Sequence, residues 1–198
     1  MAELPDSSHE RPRLLLASAS PRRLALLAQI GLVPDAVLSP AIDETPRPRE
    51  VPRALALRLA RAKAAAVTDP GFVLAADTVV AVGRRILPKP EDEGAARACL
   101  TLLSGRRHRV LTAVVVRAPD GRRAERLAES AVTFARLSGR QIAAYLASGE
   151  WRGKAGGYAI QGLAAAHIRA LGGSYSGVVG LPLFETAQLL RGLGYPLP

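Results

Sequence analysis

The chain has 198 residues, 48% of them hydrophobic, and this composition can supply the core of one globular domain. No apolar run reaches the roughly 18 residues that a membrane-spanning helix needs, so the sequence predicts no membrane segment. The formal net charge of +10 predicts anionic partners, such as nucleotides or nucleic acid, without choosing among them.

The first residues, 1–12, are polar and lack the apolar stretch of a secretory signal. We interpret them as a flexible tail that precedes a single domain over residues 13–198. The only cysteine, Cys99, cannot form an internal disulfide, which favours a cytoplasmic protein. Its surroundings, AARACLTLL, are typical of a helix core rather than of a nucleophile.

The stretch LASASPRRLALL, residues 16–27, predicts the end of a strand, a turn and then a helix. Ser20 suits the N-cap and Pro21 the first helical position. Arg22 and Arg23 then fall at the positive end of the helix dipole, where a cation is unfavourable unless an anion binds nearby. A phosphate is the natural ligand, and the alternative is that both side chains point to solvent or pair with acids elsewhere.

A proline-rich loop, PAIDETPRPREVP, carries the acids Asp43 and Glu44 and leads into a helix that begins at Pro52. Beside a triphosphate these acids are candidate Mg²⁺ ligands, although charged loop residues are usually solvated. Residues 72–82, FVLAADTVVAV, predict a central strand, and Asp77 is its only charged residue. A carboxylate there needs a metal, a cation or several donors, so Asp77 is either a catalytic base or metal ligand, or a structural aspartate bonded to a turn.

Only three of the 27 basic residues are lysines, and each lies in a segment with other distinctive features. Lys63 lies on the helix after IDETP, Lys89 lies between prolines in PKP, and Lys154 lies in the glycine-rich GKAGGYAIQG. Glycines let the backbone approach a ligand closely. In the same segment, the amide of Gln161 can both donate and accept, as recognition of a nucleobase requires.

The remaining segments predict a mixed sheet with flanking helices. We expect a helix over EDEGAARACLTLL, then a hairpin in which HRVLTAVVVRA and RRAERLAESAVTFARL flank PDG. Ser138 and Gln141 form a capping box, which predicts the start of another helix. After it we expect strands over LAAAHIRAL and VVGL and a last helix over PLFETAQLLRGL. We predict structural roles for His108 and His167, because no metal-binding spacing links them. The hairpin interrupts the strand–helix alternation, so the predicted class is α/β with a mixed sheet.

Taken together, six spaced motifs resemble the Maf-like family, nucleoside triphosphate pyrophosphatases first named for septum formation. The motifs are LASASPRRLALL, IDETP with LRLARAKA, AADTVV, KP at 89–90, LSGRRHRVLTAV, and KAGGYAIQG followed by VVGLPLFET. They run in order from about residue 14 to residue 190. The segment KAGGYAIQG resembles the branch that acts on dTTP and UTP rather than the branch that acts on 7-methyl-GTP.

The resemblance implies hydrolysis between the α- and β-phosphates, with a divalent metal such as Mg²⁺ or Mn²⁺. It implies an inosine-triphosphatase-like fold, with an elongated sheet and two lobes around a cleft, and homodimers are common in the family. Asp77 is implied as the catalytic acid/base and, with Glu44, as a metal ligand. The resemblance implies that substrate choice depends on Arg22, Thr78 and Gln161. The other residues that it implies in the site are Ser18, Arg23, Lys63, Lys89 and Lys154.

Other functions are compatible with parts of the pattern. A 7-methyl-GTP pyrophosphatase, an inactive nucleotide-binding relative, and a basic nucleic-acid-binding regulator of septum formation are the alternatives. The cations are scattered through helices and loops, and an aromatic content of 4% is too low for a single-strand stacking platform, so we do not expect a nucleic-acid partner. The sequence leaves open whether the cellular role is pool cleaning or division control.

Overall fold

The computed structural model describes residues 11–198 as a seven-stranded mixed sheet flanked by helices. The strands are β1 (Leu14–Ala17), β2 (Ala36–Leu38), β3 (Phe72–Val82), β4 (Arg85–Leu87), β5 (Arg107–Arg117), β6 (Arg123–Phe134) and β7 (Ile168–Gly172). The α-helices are α1 (Pro21–Gln29), α2 (Pro52–Ala65), α3 (Glu93–Leu103), α4 (Gly139–Ala147), α5 (Tyr175–Val179) and α6 (Leu183–Gly192). The predicted α/β class with a mixed sheet is confirmed.

The strand pairing leaves an opening in one edge of β3. The order is β2-β1-β3-β5-β6-β7, and β4 also pairs with β3. Since β5 pairs along one edge of β3, from Val73 to Ala81, β1 and β4 must share the other edge. There β1 pairs with residues 72–74 and β4 with residues 80–82. Within the described chain, residues 75–79 have no strand partner on that side. We call this opening the β3 gap.

The sheet is central because both of its faces are covered. In β1 all four residues are buried, and successive side chains point to opposite faces. Leu14 and Leu16 belong to the larger core cluster, which includes residues of α1, α3, α4 and α6. Leu15 and Ala17 belong to the smaller cluster, which includes the buried face of α2. The continuous apolar runs of β1 and β3 follow from this two-sided burial.

Most predicted elements are confirmed, including β3, the β5–β6 hairpin and the helix with the capping box of Ser138 and Gln141. One predicted strand begins too early, and another is wrong. In LAAAHIRAL, Leu163–His167 forms a 3₁₀ helix and the strand begins only at Ile168. In VVGL, the valines end helix α5, which begins after Ser174 because that side chain accepts from the Gly177 N–H. Short apolar runs are compatible with either conformation, and here the cap favours the helix.

Helix α1 differs in detail from the prediction. Ser20 occupies the N-cap position, but its side chain makes no capping hydrogen bond. The Ser20 N–H instead donates to the Ser18 hydroxyl at 3.2 Å. Leu24 is 39% exposed, whereas Arg23 is buried, as are Leu26 and Leu27. The helix therefore carries a cation, not a leucine, on part of its inner face.

The first described residue, Arg11, contacts the segment that follows helix α6. Residues 1–10 of the predicted tail lie outside the described residues. Arg11 donates to the hydroxyl of Tyr195 at 2.7 Å and to a carboxylate oxygen of Asp35 at 3.0 Å. From residue 11 to residue 198, none of the helices combines the length and the apolar character needed to cross a bilayer.

Candidate active site

The β3 gap exposes two neighbouring polar side chains of β3, Asp77 and Thr78. Successive residues of a strand face opposite sides of the sheet, so Asp77 points towards α2 and Thr78 points towards α5. Where neighbouring strands cover an edge, such side chains remain in separate layers. Because the gap leaves this edge open, both line one cleft. Asp77 lies in the middle of the strand, within the gap, and is buried although it lines the cleft.

Lys63 joins the two acids of the cleft. Its Nζ atom lies 2.6 Å from Oδ1 of Asp77 and 2.6 Å from Oε1 of Glu44. Lys63 and Asp77 are buried, whereas Glu44 is partly exposed and also receives a hydrogen bond from Lys89 Nζ at 2.9 Å. The last turns of α2 supply Lys63, and the proline-rich loop supplies Glu44. Two carboxylates therefore converge on one ammonium group.

The two carboxyl groups differ in protonation behaviour. Burial raises the pKa of Asp77, although Lys63 and Arg23 act in the opposite direction. Burial also acts to raise the pKa of Glu44, but hydrogen bonds from Lys63 and Lys89 outweigh it and lower that pKa to about 2. Neighbouring carboxyl groups with opposite shifts are suited to different roles. Asp77 is suited to proton transfer, and Glu44 is suited to a permanent negative charge.

Arg23 is directed into the protein rather than towards a ligand. Its Nε donates to the carbonyl of Gly180 at 2.8 Å and its Nη1 to the hydroxyl of Ser18 at 2.8 Å. Its Nη2 lies 3.4 Å from the hydroxyl of Thr78. Burial lowers the pKa of Arg23, while Asp77 opposes that effect. Arg23 thus ties α1 to β3 and to the turn after α5, and it brings positive charge close to Asp77.

The remaining cations form the open side of the cleft. Arg22 is half-buried, and its Nε lies 3.4 Å from the carbonyl of Val179. Lys154 donates to the carbonyl of Arg152, and burial lowers the pKa of Lys154, with Arg22 adding to that effect. These cations and Lys89 come from three different segments of the chain. They surround a space that suits a multiply charged anion.

The glycine-rich segment forms part of the wall of the cleft. Gly156 has φ of 69° and packs so closely on β3 that a Cβ atom would lie 2.8 Å from Val80 Cγ1. Only glycine combines this positive φ with this approach. Lys154, Tyr158 and Gln161 of this segment all line the cleft.

All ten residues predicted for the site line this one cleft, which has a volume of about 430 Å³ and is large enough for a nucleotide-sized ligand. They are Ser18, Arg22, Arg23, Glu44, Lys63, Asp77, Thr78, Lys89, Lys154 and Gln161. Asp43, the other candidate metal ligand of the loop, is not among the lining residues. Its carboxylate accepts from the Thr45 N–H at 2.9 Å and stabilises the loop.

The donor set of the cleft fits a hard divalent cation. Glu44 and Asp77 supply carboxylate oxygens, and their convergence on the Lys63 ammonium shows that both can face one positive charge. Mg²⁺ is commonly held by one or two carboxylates together with substrate phosphates. Within residues 11–198 there is no cluster of three or more His, Cys, Asp or Glu residues that could hold a metal ion. Glu44 and Asp77 are the two carboxylates among the residues that line the cleft.

Two contacts near the cleft were not predicted. Thr112 of β5 lies opposite Thr78 in the sheet, 1% exposed, and its hydroxyl contacts that of Thr78. The sequence signal was available, because Thr112 is the one polar residue of the buried run VLTAVVV. His108, interpreted as structural, is 2% exposed and lies 2.7 Å from the Tyr158 hydroxyl. Each contact supports a residue that lines the cleft.

Comparison with known proteins gives one family. The family model described as "Maf-like protein" matches residues 13–193. A dTTP/UTP pyrophosphatase of Gluconobacter oxydans is 69% identical over 191 residues, which cover 92% of this chain and 88% of that protein. Proteins of the same name from Granulibacter bethesdensis and Maricaulis maris are 64% and 62% identical, covering 97% and 98% of this chain and 98% and 94% of their own lengths.

Solved structures give more distant likenesses. One is the nucleoside-triphosphatase, or dITP/XTP pyrophosphatase, of Mycobacterium abscessus, with a TM-score of 0.39 and 20% identity over 63% of this chain and 75% of that one. Another is the Ham1 protein of Staphylococcus aureus, with a TM-score of 0.43 and 18% identity over 62% of this chain and 72% of that one.

Proposed function

The chain belongs to the Maf-like protein family, and on this premise we propose that it hydrolyses dTTP and UTP to the nucleoside monophosphate and pyrophosphate. The substrates come from the relatives that are 62–69% identical over nearly the whole chain and are named dTTP/UTP pyrophosphatases. The structural observation that carries the proposal is the buried Asp77 carboxylate, which opens into a cleft surrounded by cations.

The cations account for recognition of the polyphosphate. A nucleoside triphosphate carries about four negative charges near neutral pH, because the terminal phosphate ionises near pH 6. Arg22, Lys89 and Lys154 approach the cleft from three directions, so they can distribute that charge without following a long nucleic-acid backbone. Arg22 lies in the first turn of α1, where the helix dipole disfavours a cation. A bound polyphosphate would offset this cost, because its negative charge lies near the same helix end.

Asp77 is the proposed general base. Its burial favours the protonated form, so the carboxylate can take a proton from a water molecule that attacks the α-phosphorus. The Lys63 ammonium, 2.6 Å away, favours the ionised form in which Asp77 begins the reaction. Positioning and charge stabilisation then account for most of the acceleration, as is usual in phosphoryl transfer.

Glu44 and Asp77 are the proposed ligands of a divalent metal, Mg²⁺ or Mn²⁺. Bound there, the ion would neutralise phosphate oxygens and polarise the scissile phosphorus. The low pKa of Glu44 keeps its carboxylate ionised at every physiological pH, which suits a ligand that must not exchange its metal for a proton.

A panel of nucleoside triphosphates tests the proposed reaction. The purified chain is incubated with dTTP, UTP, CTP, ATP, GTP and 7-methyl-GTP, with Mg²⁺, with Mn²⁺ or with a chelator. We expect pyrophosphate release from dTTP and UTP only when a metal is added. Release from 7-methyl-GTP alone would support the other enzymatic branch, and orthophosphate as the sole product would contradict the reaction.

The cellular setting is also a proposal. We place the reaction in the cytoplasm, where nucleoside triphosphates are made and consumed, as either pool cleaning or control of division. Deletion of the gene, with measurement of dTTP-analogue incorporation and of cell length, separates these roles. A homodimer is expected from the family resemblance, and light scattering of the purified chain measures it.

A further inference from the structure

The loop that carries Glu44 has little backbone bonding of its own. It covers residues 39–50, between β2 and α2, and none of these residues belongs to a helix or strand. Among the described residues, its backbone groups form one hydrogen bond with each other, from the Glu50 N–H to the Arg47 carbonyl at 3.0 Å. Arg49, inside that turn, has a φ of 61°, which is unfavourable for a residue with a side chain. Side chains must therefore hold residues 39–50 in place, and we call this segment the Glu44 loop.

Arg58 of α2 binds the Glu44 loop at two points. Its Nε donates to Oε1 of Glu50 at 2.7 Å, and its Nη2 donates to Oε2 of Glu50 at 2.8 Å. Nη2 also donates to the carbonyl oxygen of Thr45 at 2.9 Å. The hydrogen bonds from Arg58 lower the pKa of Glu50 to about 2, so the pair stays ionised at physiological pH. One guanidinium therefore holds both the end of the loop and the residue that follows Glu44.

The backbone around Glu44 is held on both sides. Ile42, two residues earlier, packs against the smaller core cluster. The Thr45 N–H donates to the Asp43 carboxylate at 2.9 Å, and the Thr45 carbonyl accepts from Arg58. The residue after Glu44 is thus bonded through both of its backbone polar groups, which restricts rotation of the chain beside Glu44.

Helix α2 supplies both the support of the loop and a partner of its carboxylate. Arg58 binds the backbone beside Glu44, and Lys63, five residues later in α2, lies 2.6 Å from Oε1 of Glu44. Lys89 lies 2.9 Å from Oε2. The Glu44 side chain is 39% exposed, so water competes with both lysines for its oxygens. The location of this carboxylate therefore depends on the backbone that carries it as well as on its ion pairs.

We infer that Arg58 is a positioning residue: through its bonds to the Glu44 loop, it keeps the Glu44 carboxylate at the cleft. The inference rests on the proposed function, in which Glu44 is a ligand of the divalent metal. Without Arg58 the loop leaves α2 more often, and the carboxylate is at the cleft for only part of the time. Binding of the metal and nucleotide must then also order the loop, which weakens it.

The test compares Arg58→Gln, Arg58→Lys and Glu50→Gln with the wild type and with a matched control, Arg61→Gln. Arg61 lies three residues later in α2 and also binds a carboxylate through two nitrogens, but its partner is Glu125 of β6. The first measurement is the rate of trypsin cleavage after Arg49, without nucleotide or metal. The second is calorimetry of α,β-imido-UTP, a non-hydrolysable analogue, with Mg²⁺ and with a chelator. The ratio of the two Kd values is the magnesium preference.

The cleavage rate reports how often the loop leaves α2. Trypsin cuts a locally unfolded segment, and in this loop it can cut after Arg49 but not after Arg47, which precedes a proline. We expect Arg58→Gln and Glu50→Gln to raise the rate of this cut at least about tenfold, the equivalent of one hydrogen bond to a charged group. Arg58→Lys, which keeps the charge but not the two-pronged geometry, should lie between. Arg61→Gln should match the wild type.

The magnesium preference tests whether Arg58 acts through Glu44. We expect Arg58→Gln to lower this preference roughly tenfold, which is a usual effect of losing a group that orients a metal ligand. In a Glu44→Gln background, the same substitution should leave the preference unchanged, because no carboxylate remains to be positioned. A general loss of stability would not distinguish the two backgrounds.

Cleavage of Arg58→Gln no faster than that of Arg61→Gln would overturn the inference. So would a magnesium preference that does not fall, or one that falls equally in the Glu44→Gln background. Thermal melting checks that each variant is folded. If Arg58→Gln does not fold, Glu50→Gln, which breaks the same ion pair from the loop side, replaces it in both comparisons. Failure of the proposed function is a separate result, namely no pyrophosphate from dTTP or UTP with the wild type, and the cleavage rates still decide the inference in that case.

Discussion

Oδ1 of Asp77 lies 2.6 Å from Nζ of Lys63, and both side chains are buried although they belong to different layers, the sheet and helix α2. The pair gives a buried carboxylate the partner that it requires. It is also the point where the β3 gap, the loop that carries Glu44 and the cationic side of the cleft meet. The first two predictions concern this pair.

Replacement of Asp77 by asparagine should lower kcat for dTTP and UTP by at least about 100-fold, because the amide cannot accept the proton of the attacking water. Nucleotide binding should change only a few-fold, since the cations remain. Pyrophosphate release gives kcat, and calorimetry with an α,β-imido analogue gives Kd. Asp43→Asn is the matched control, because Asp43 lies outside the cleft. Near-normal turnover of Asp77→Asn would remove Asp77 from the proposed role.

Replacement of Lys63 by glutamine should move the acid limb of the pH profile of kcat/KM to higher pH. Lys63 is the strongest influence that lowers the pKa of Asp77 against the effect of burial. Its loss raises that pKa further, so the base becomes protonated at a higher pH. Lys89→Gln is the control, because Lys89 contacts Glu44 and not Asp77. An acid limb that stays in place in Lys63→Gln would show that Asp77 does not control it.

Arg22 and Arg23 should respond differently to replacement by lysine. The Arg23 guanidinium makes three hydrogen bonds in a buried site, which an ammonium on a linear stem cannot reproduce. We expect Arg23→Lys to lower the free energy of unfolding by about 1–3 kcal/mol, because buried carbonyl and hydroxyl groups lose their donor. Arg22→Lys should leave stability unchanged and raise KM. Urea unfolding and steady-state kinetics measure the two effects, and equal loss of stability in both variants would contradict the assignment.

His108 should make the stability of the domain depend on pH below neutrality. Burial lowers its pKa from 6.5 to about 4. The unfolded chain therefore binds the proton first as the pH falls, and the stabilising contribution, complete above pH 6.5, is lost progressively down to pH 4. Between these two pH values the free energy of unfolding should fall by about 3 kcal/mol. Urea unfolding from pH 4 to pH 7 measures it. His108→Phe should flatten this dependence, whereas Tyr158→Phe, which keeps the imidazole, should retain it.

The local elements could be predicted because their signals are local. The prediction of β3 is correct at both ends, since an apolar β-branched run between two turns leaves little choice of boundary. The capping box of Ser138 and Gln141 is likewise a short-range signal. The strands β2 and β4 were not predicted, because three residues carry no periodicity and form a strand only by pairing with β1 and β3. The last two residues of helix α5, Val178 and Val179, were predicted as part of a strand, because so short an apolar run fits either conformation.

By itself, the sequence determined the fold class, the order of the long elements and the residue types that line the cleft. These depend on spacing along the chain and on motifs that can be read one segment at a time. The tertiary structure alone decided that the Arg23 guanidinium is bonded to groups inside the protein while Arg22 stays half-buried, that Glu44 and not Asp43 shares Lys63 with Asp77, and that Thr112 contacts Thr78. Each of these depends on which strand edge is left open and on contacts between residues distant in sequence. A hydrogen bond acts over about 3 Å in space, and no local pattern specifies which distant groups come that close.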